Sequence, residues 1–245
     1  MRWKNLCKGM PQGGCQDKQK AMTKFSKSTV EQGLRSCGMI PVFFHADIEI
    51  AKAVMDAAYK GGVRVFEFTN RGGNAFEVFK QLLTHAQQYP DLMLGIGTIM
   101  DIPTTQKFID AGAHFIVSPI LKPEMAGVCH QQDKLWVPGC ATLTEIVNAK
   151  DLGAAIIKIF PGSVLGPGFV SAIMPVVPGL QLMPTGGVEP TEANLSAWFK
   201  AGVVCVGMGS QLFTKEILET KNWSLLQQRV AATFEIIRKV RLFEK

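Results

Sequence analysis

Two charged residues stand in runs that are otherwise apolar. Lys158 lies in Ala155-Ile156-Ile157-Lys158-Ile159-Phe160-Pro161, and Glu67 lies in Val63-Arg64-Val65-Phe66-Glu67-Phe68-Thr69-Asn70-Arg71. Both runs read as strands buried on two faces, where apolar residues are the rule. A charge there costs several kcal/mol unless it is paired, and pairing barely offsets the cost. A buried lysine therefore calls for a reason other than stability. Burial lowers a lysine pKa and frees the amine as a nucleophile at neutral pH, the condition for Schiff-base chemistry with a ketone. A neighbouring carboxylate can move protons, and an arginine can fork onto a substrate carboxylate. Glu67 and Arg71 are four residues apart and face the same way if the strand stays regular that far. The competing reading is a buried ion pair without chemistry.

Two glycine-rich strand ends add a second kind of site. Pro184-Thr185-Gly186-Gly187-Val188 and Gly207-Met208-Gly209-Ser210 follow the seventh and eighth predicted strands. Glycine lets a backbone approach closely, and N–H groups there can cradle an anion such as phosphate. A plain turn is the alternative. Gly95-Ile96-Gly97-Thr98 ends the third strand; its small residues leave space, and Thr98 can donate to a carboxylate. A glycine-relieved packing layer is the competing explanation. His45 ends the first strand and is read as a solvated or core-satisfied residue. Met39, Met55, Met93, Met100 and Met125 are read as packing residues, and Cys140 and Cys205 as small core hydrophobes.

The elements that must carry these residues follow from periodicity. Short β-type runs fall at Met39–Phe44, Val63–Phe68, Met93–Ile99, His114–Pro119, Leu135–Cys140, Ala155–Phe160, Leu180–Pro184 and Val203–Gly207. Helical spacing lies between them, as in Ile48, Ala51, Val54, Met55, Ala58 and in Phe76, Phe79, Leu82, Leu83. Gly62, Gly112, Gly153, Gly179 and Gly202 stand where a left-handed residue ends a helix. Asp47, Asn74, Asp101, Thr142 or Thr144, and Thr191 stand where caps begin one. Eight strands alternating with helices, without a dinucleotide fingerprint after the first, predict an α/β fold. The expected form is a single (β/α)8 TIM barrel with a short N-terminal capping helix, Thr29–Cys37, closed by a last helix at about 222–239. In such a barrel the even-numbered strands share side-chain layers, so Glu67 and Lys158 would reach the axis from opposite walls. Arg64 would open the second strand toward solvent.

Composition limits the partners. The chain has 245 residues, 47% hydrophobic and 19% charged, with a net charge of +6. Residues 1–27 carry that +6 by themselves, and the body is neutral, with 19 basic and 19 acidic residues. The basicity thus belongs to a tail and argues against a nucleic-acid partner. Residues 1–21 are expected to form a disordered basic extension, with Met22 as an alternative start, and residues 22–245 the barrel. The cysteines form no CxxC pair, and the histidines lack zinc-ligand spacing. No apolar segment near the start suits a secretory signal, and the low-charge stretch 154–188 is too broken by proline and glycine to cross a membrane. A reduced, cytoplasmic protein is the expectation.

The ordered set Val65-Phe66-Glu67-Phe68-Thr69-Asn70-Arg71, Gly95-Ile96-Gly97-Thr98, Val117-Ser118-Pro119, Pro138-Gly139-Cys140-Ala141-Thr142, Lys158-Ile159-Phe160-Pro161 and Pro184-Thr185-Gly186-Gly187-Val188 resembles the class I aldolases that act on 2-keto-3-deoxy-6-phosphogluconate and 4-hydroxy-2-oxoglutarate. The resemblance covers about residues 28–215. It implies a barrel, a homotrimer, no metal and no cofactor, and a small phosphorylated keto acid as substrate. It implies a Schiff base at Lys158 and a general acid/base at Glu67. Arg71 and Thr98 match residues that hold the pyruvate-derived carboxylate, Pro119 and Phe160 match pocket walls, and Gly186, Gly187 and Ser210 match the phosphate end. The chain departs from the family's pattern at Thr69-Asn70-Arg71-Gly72, where Thr-Leu-Arg-Thr is common, and at Phe160-Pro161-Gly162-Ser163, where Phe-Pro-Ala-Glu is common. These changes alter the pocket rim, so the galactonate epimer or an unphosphorylated hydroxy-keto acid is an alternative substrate. A thiamine-phosphate-synthase-like transferase and a non-catalytic phosphosugar-binding protein are the rival functions; neither accounts for Lys158.

Overall fold

The apolar runs pair in parallel, as strands joined through helices must. The computed structural model describes residues 25–242, so the predicted disordered extension 1–21 lies outside the described residues. Helix α1 (Lys27–Cys37) precedes strand β1 (Met39–Phe43), and α2 (Ile48–Lys60) leads to β2 (Val65–Thr69). Then come α3 (Ala75–His85), β3 (Met93–Gly97), α4 (Ile102–Ala111), β4 (Phe115–Val117), α5 (Pro123–Gln131) and β5 (Leu135–Val137). The chain continues through β6 (Gly139–Cys140), α6 (Leu143–Asp151), β7 (Ile157–Ile159), α7 (Gly162–Ile173), β8 (Leu182–Pro184), α8 (Glu192–Lys200) and β9 (Val206–Met208). Helices α9 (Lys215–Thr220) and α10 (Trp223–Leu242) follow.

The strands form a six-stranded sheet in the order β5-β4-β3-β2-β1-β9 and a three-stranded sheet in the order β6-β7-β8. The predicted strand Leu135–Cys140 is divided at Pro138, which has no N–H to give to a ladder. Its carbonyl still accepts the Lys158 N–H at 2.8 Å. At the other seam the Val204 N–H donates to Leu182 O at 3.0 Å, and Thr185 bridges Gly207 in parallel.

Period-two alternation divides the side chains between two cores. Outward residues such as Phe66, Phe68, Ile96, Ile116 and Ile159 pack beneath the helices. Inward residues of both sheets, among them Ile40, Val65, Met93, Phe115, Ile156 and Met183, form one inner core. The six-stranded sheet curls around that core. Val30 and Leu34 of α1 plug its lower end, as the predicted capping helix should. Close approach there requires Gly33, where a Cβ would lie 2.6 Å from the Met93 methyl.

Local signals account for the boundaries. Asp47, Asp101 and Thr191 cap α2, α4 and α8 through their side chains, and Thr142 forms a reciprocal capping box with Glu145. Asn74 differs: it makes no cap bond, and its Nδ2 instead donates to Ala46 O at 2.9 Å, tying two strand-end loops together. The five predicted helix-ending glycines all adopt positive φ. Four of the five methionines assigned to packing are buried, but Met100 is 49% exposed because it falls on the loop after β3. Arg64 stands just before β2, where its Nε donates to Asp91 Oδ2 at 2.7 Å.

One buried charge escaped the sequence reading. Lys134, immediately before β5, is 2% exposed, and among the described residues its Nζ has no hydrogen-bond partner. Burial pulls its pKa down to about 8. Between pH 8 and the ordinary lysine value of 10.5 the native state holds fewer protons than the unfolded chain, so stability rises with pH across that window. Below it the full cost of the buried ammonium remains. Lys134→Met is expected to stabilise the protein by about 2 kcal/mol at pH 7, with the gain shrinking toward pH 10.5. Urea unfolding at pH 7 and pH 10 checks both the gain and its decline.

Candidate active site

The inner face changes character along its length. Four inward strand series start apolar at the α1 end and become polar or small at the other: Val65, Glu67, Thr69; Ile156, Lys158; Met183, Thr185; Cys205, Gly207. Glu67 and Lys158 lie in this second half, fully buried and 4% exposed respectively. β2 and β7 belong to different sheets, and the Lys158 Nζ stands 3.9 Å from Glu67 Oε1 across the interior. The two charges singled out in the sequence are thus near neighbours in space.

The pair is weakly satisfied. Among the described residues neither carboxylate oxygen of Glu67 has a hydrogen-bond partner. Burial pushes the Glu67 pKa up, outweighing the pull of the Lys158 and Arg71 cations in the other direction. Burial likewise pushes the Lys158 pKa down, against the Glu67 carboxylate and with help from Arg71. Both shifts favour the uncharged forms, a carboxylic acid beside a free amine. That is the state in which lysine is a nucleophile. The Nζ also lies 5.2 Å from the centre of the Phe160 ring, which forms an apolar wall beside it.

Space for the carboxylate is built into β3. A Cβ on Gly97 would sit 1.8 Å from Glu67 Oε1. Gly95 does a different job, since its Cβ would strike the Phe115 ring at 2.4 Å. The two explanations offered for the Gly-Ile-Gly-Thr run thus apply to different residues: Gly95 relieves packing, and Gly97 seats the carboxylate. Thr98, next along, holds φ of 61°, a left-handed conformation that a β-branched residue adopts only at a cost.

The remaining predicted site residues lie beyond the ends of parallel strands, at the same end as this pair. Arg71 follows β2 and is exposed; its charge acts on both Glu67 and Lys158. Pro119 follows β4 and is half-buried, and its carbonyl lies where a Cβ on Gly139 would be, at 2.5 Å. Gly186 and Gly187 adopt φ of 91° and 71°. Their loop touches the first turn of α7: the Gly162 N–H donates to Thr185 O at 2.8 Å, and a Cβ on Gly187 would lie 2.7 Å from Ser163 Cα. Ser210 is exposed on the loop after β9, and the Thr185–Gly207 bridge sets the ends of β8 and β9 side by side. His45 serves its own loop, its Nδ1 accepting the Asp47 N–H at 3.0 Å.

Two features were missed from sequence. Thr185 is buried with no partner for its Oγ1, which would be 2.3 Å from a Cβ on Gly207. Period-two counting from the inward Met183 could have found it. Gly162 and Ser163 abut the glycine loop, a tertiary contact without a local signal. Among the described residues no group of three or more His, Cys, Asp or Glu could hold a metal ion, and no helix is long and apolar enough to cross a membrane.

Comparison with known proteins places the chain among aldolases. A 2-dehydro-3-deoxy-phosphogluconate aldolase of Treponema pallidum is 28% identical over 210 residues, covering 85% of this chain and 98% of its own length. The KHG/KDPG aldolase of Escherichia coli is 28% identical over 198 residues, covering 80% of this chain and 91% of its own. The crystal structure of the KDPG aldolase of Legionella pneumophila, with pyruvate captured as a covalent carbinolamine, superposes with a TM-score of 0.73 at 28% identity over 83% of this chain and 97% of that one. Fold and relatives together define an aldolase, a carbon–carbon lyase. The chain belongs to the KDPG and KHG aldolase family, whose sequence model matches residues 30–229.

The seat of Glu67 can be tested without removing an ionisable group. Gly97→Ala places a methyl group in the volume of the carboxylate and is expected to cut aldol cleavage about 100-fold. Turnover at the wild-type level would show that the position of this carboxylate is not needed.

Proposed function

We propose that this aldolase reversibly cleaves 2-keto-3-deoxy-6-phosphogluconate to pyruvate and glyceraldehyde 3-phosphate, or 4-hydroxy-2-oxoglutarate to pyruvate and glyoxylate, through a Schiff base on Lys158. The observation that carries the reading is the buried Lys158–Glu67 pair, 3.9 Å apart, with burial driving both groups toward neutrality. The free amine attacks the C2 ketone, and one amine proton passes to the oxygen to give a carbinolamine. The Glu67 acid protonates that hydroxyl, which leaves as water. An iminium cation now faces the Glu67 carboxylate, each stabilising the other in a dry site. The carboxylate takes the C4 hydroxyl proton, the C3–C4 bond breaks, and its electron pair flows into the iminium to form an enamine. The aldehyde departs, and Glu67 returns its proton to C3. Water then adds to the iminium, giving its proton to Glu67, and the carbinolamine collapses to pyruvate and the amine.

The surroundings supply the rest. Arg71 and Thr98 hold the carboxylate of the keto acid, so that the carbonyl carbon stays within reach of the amine. Phe160 and Pro119 wall the pocket. Backbone N–H groups around Gly186 and Gly187, with Ser210, receive the distal phosphate; the positive φ of both glycines and the α7 terminus beside them suit an anion. The two sheets are read as one closed (β/α)8 barrel in which β5 and β6 count as a single strand. The Val204–Leu182 hydrogen bond and the Thr185–Gly207 bridge support this closure. The protein is proposed to act as a cytoplasmic homotrimer, and the exposed Met100 and Ile120 on loops, with Ile102 at the start of α4, offer apolar surface for a partner copy.

Borohydride reduction with pyruvate, followed by peptide mass mapping, tests the chemistry. A reduced adduct on Lys158 is expected in the wild type, and none in Lys158→Ala, which should remain folded and lose turnover. Appreciable cleavage by Lys158→Ala would overturn the assignment. Comparing the phosphorylated gluconate and galactonate keto acids with 4-hydroxy-2-oxoglutarate identifies the substrate, the phosphorylated gluconate compound being expected to give the highest kcat/KM.

A further inference from the structure

Arg71 is loosely tethered. It is exposed, and among the described residues its side chain makes neither an ion pair nor a hydrogen bond. The point from which it projects is therefore set by its backbone. Asn70 N–H donates to Gly97 O at 2.9 Å, and Arg71 N–H donates to Thr69 O at 3.0 Å, so the chain turns tightly as it leaves β2. Downstream, Ala75 N–H reaches back to Gly72 O at 3.0 Å, and Asn74 is tied to Ala46. Between these anchors stands Gly72. Its φ lies outside the left-handed region, so glycine is not demanded there by backbone conformation. Space demands it: a Cβ on Gly72 would lie 2.4 Å from Cζ of Phe44, and 3.1 and 3.3 Å from the two Cε atoms. The Phe44 ring sits end-on over the residue that follows Arg71. It is held from behind by Phe68, at 5.6 Å between ring centres, and by the outer core.

We propose that Phe44 is a positioning residue for the keto-acid carboxylate, acting through Arg71: its ring, seated in the slot left by Gly72, fixes the turn from which the guanidinium projects. The departure at Gly72 and the aromatic ring at the end of β1 are two halves of one contact. The inference rests on the proposed role of Arg71 toward the carboxylate, and it adds the device that aims that residue. Loss of the ring frees the turn without touching Lys158 or Glu67, so it weakens capture of the keto acid and leaves the amine intact.

Borohydride trapping with pyruvate, titrated to saturation, separates these effects. Phe44→Ala is expected to raise the half-saturating pyruvate concentration about ten-fold, the size of one lost charge-assisted contact, with the yield at saturation unchanged. Arg71→Ala should raise the half-saturating concentration at least as far, and Phe44→Ala/Arg71→Ala should be no worse than Arg71→Ala alone. Gly72→Ala should also raise the half-saturating concentration, and Phe44→Leu/Gly72→Ala should restore much of it by refilling the contact from the other side. That pair keeps the test decisive if Phe44→Ala folds poorly. If Arg71→Ala shifts the titration and the Phe44 and Gly72 variants do not, the positioning role is wrong while the aldolase reading stands. A fall in saturated yield for Phe44→Ala would also overturn it, since that would mark damage to the amine. If Arg71→Ala itself has no effect, the reading of Arg71 fails first.

Discussion

The burial of Lys158 and Glu67 in one apolar chamber is the constraint on which the rest of the site depends. Placing either group alone between hydrophobic strands would leave an ion without water or partner. Placing both at 3.9 Å gives each a partner, and burial biases each toward its uncharged form. The arrangement is poor for stability, because neither Glu67 oxygen is hydrogen-bonded. It is well matched to a reaction that creates a cation on the amine and an anion on the acid together, then returns both to neutrality. A site held in the ion-paired form would have to be unmade before the amine could attack.

The fold accommodates this pair by dividing its inner face. One half is filled by aliphatic and aromatic side chains and stoppered by α1, so the parallel strands have a core to rest on. The other half is deliberately small. Gly97 and Gly207 give up side chains where Glu67 and Thr185 need volume, and Gly139 gives way to the backbone after β4. Rigidity in the first half makes precision possible in the second, since a few tenths of an ångström at β2 or β7 would change the separation of amine and acid. Around the rim the same complementarity recurs between Phe44 and Gly72 and between Gly187 and Ser163. In each case a missing Cβ lets two strand-end loops lock together.

The candidate site residues are more legible in the sequence than their surroundings. Lys158 and Glu67 were visible because a charge among apolar residues contradicts its local context. Helix starts at Asp47, Asp101 and Thr142 were visible because capping is a contact between near neighbours in sequence. Asn74 looked like another cap and instead bonds a different loop. Lys134 passed unnoticed because a lysine at a strand edge resembles any solvent-facing charge; the packing around β5 buries it. Pro138 lay inside a predicted strand, where it interrupts the ladder.

By itself the sequence determined the alternation of strands and helices, the end of each strand that carries chemistry, and the residue types that supply it. All of these depend on period and composition over a few residues. Tertiary structure alone decided that Lys158 and Glu67 stand 3.9 Å apart. It also decided that Gly97 is the seat of the carboxylate and Gly95 a packing relief, and that Thr185 is buried without a partner. Those properties depend on distances between segments far apart in the chain. Such distances are set by how the strands curl around their common core, which no local pattern records.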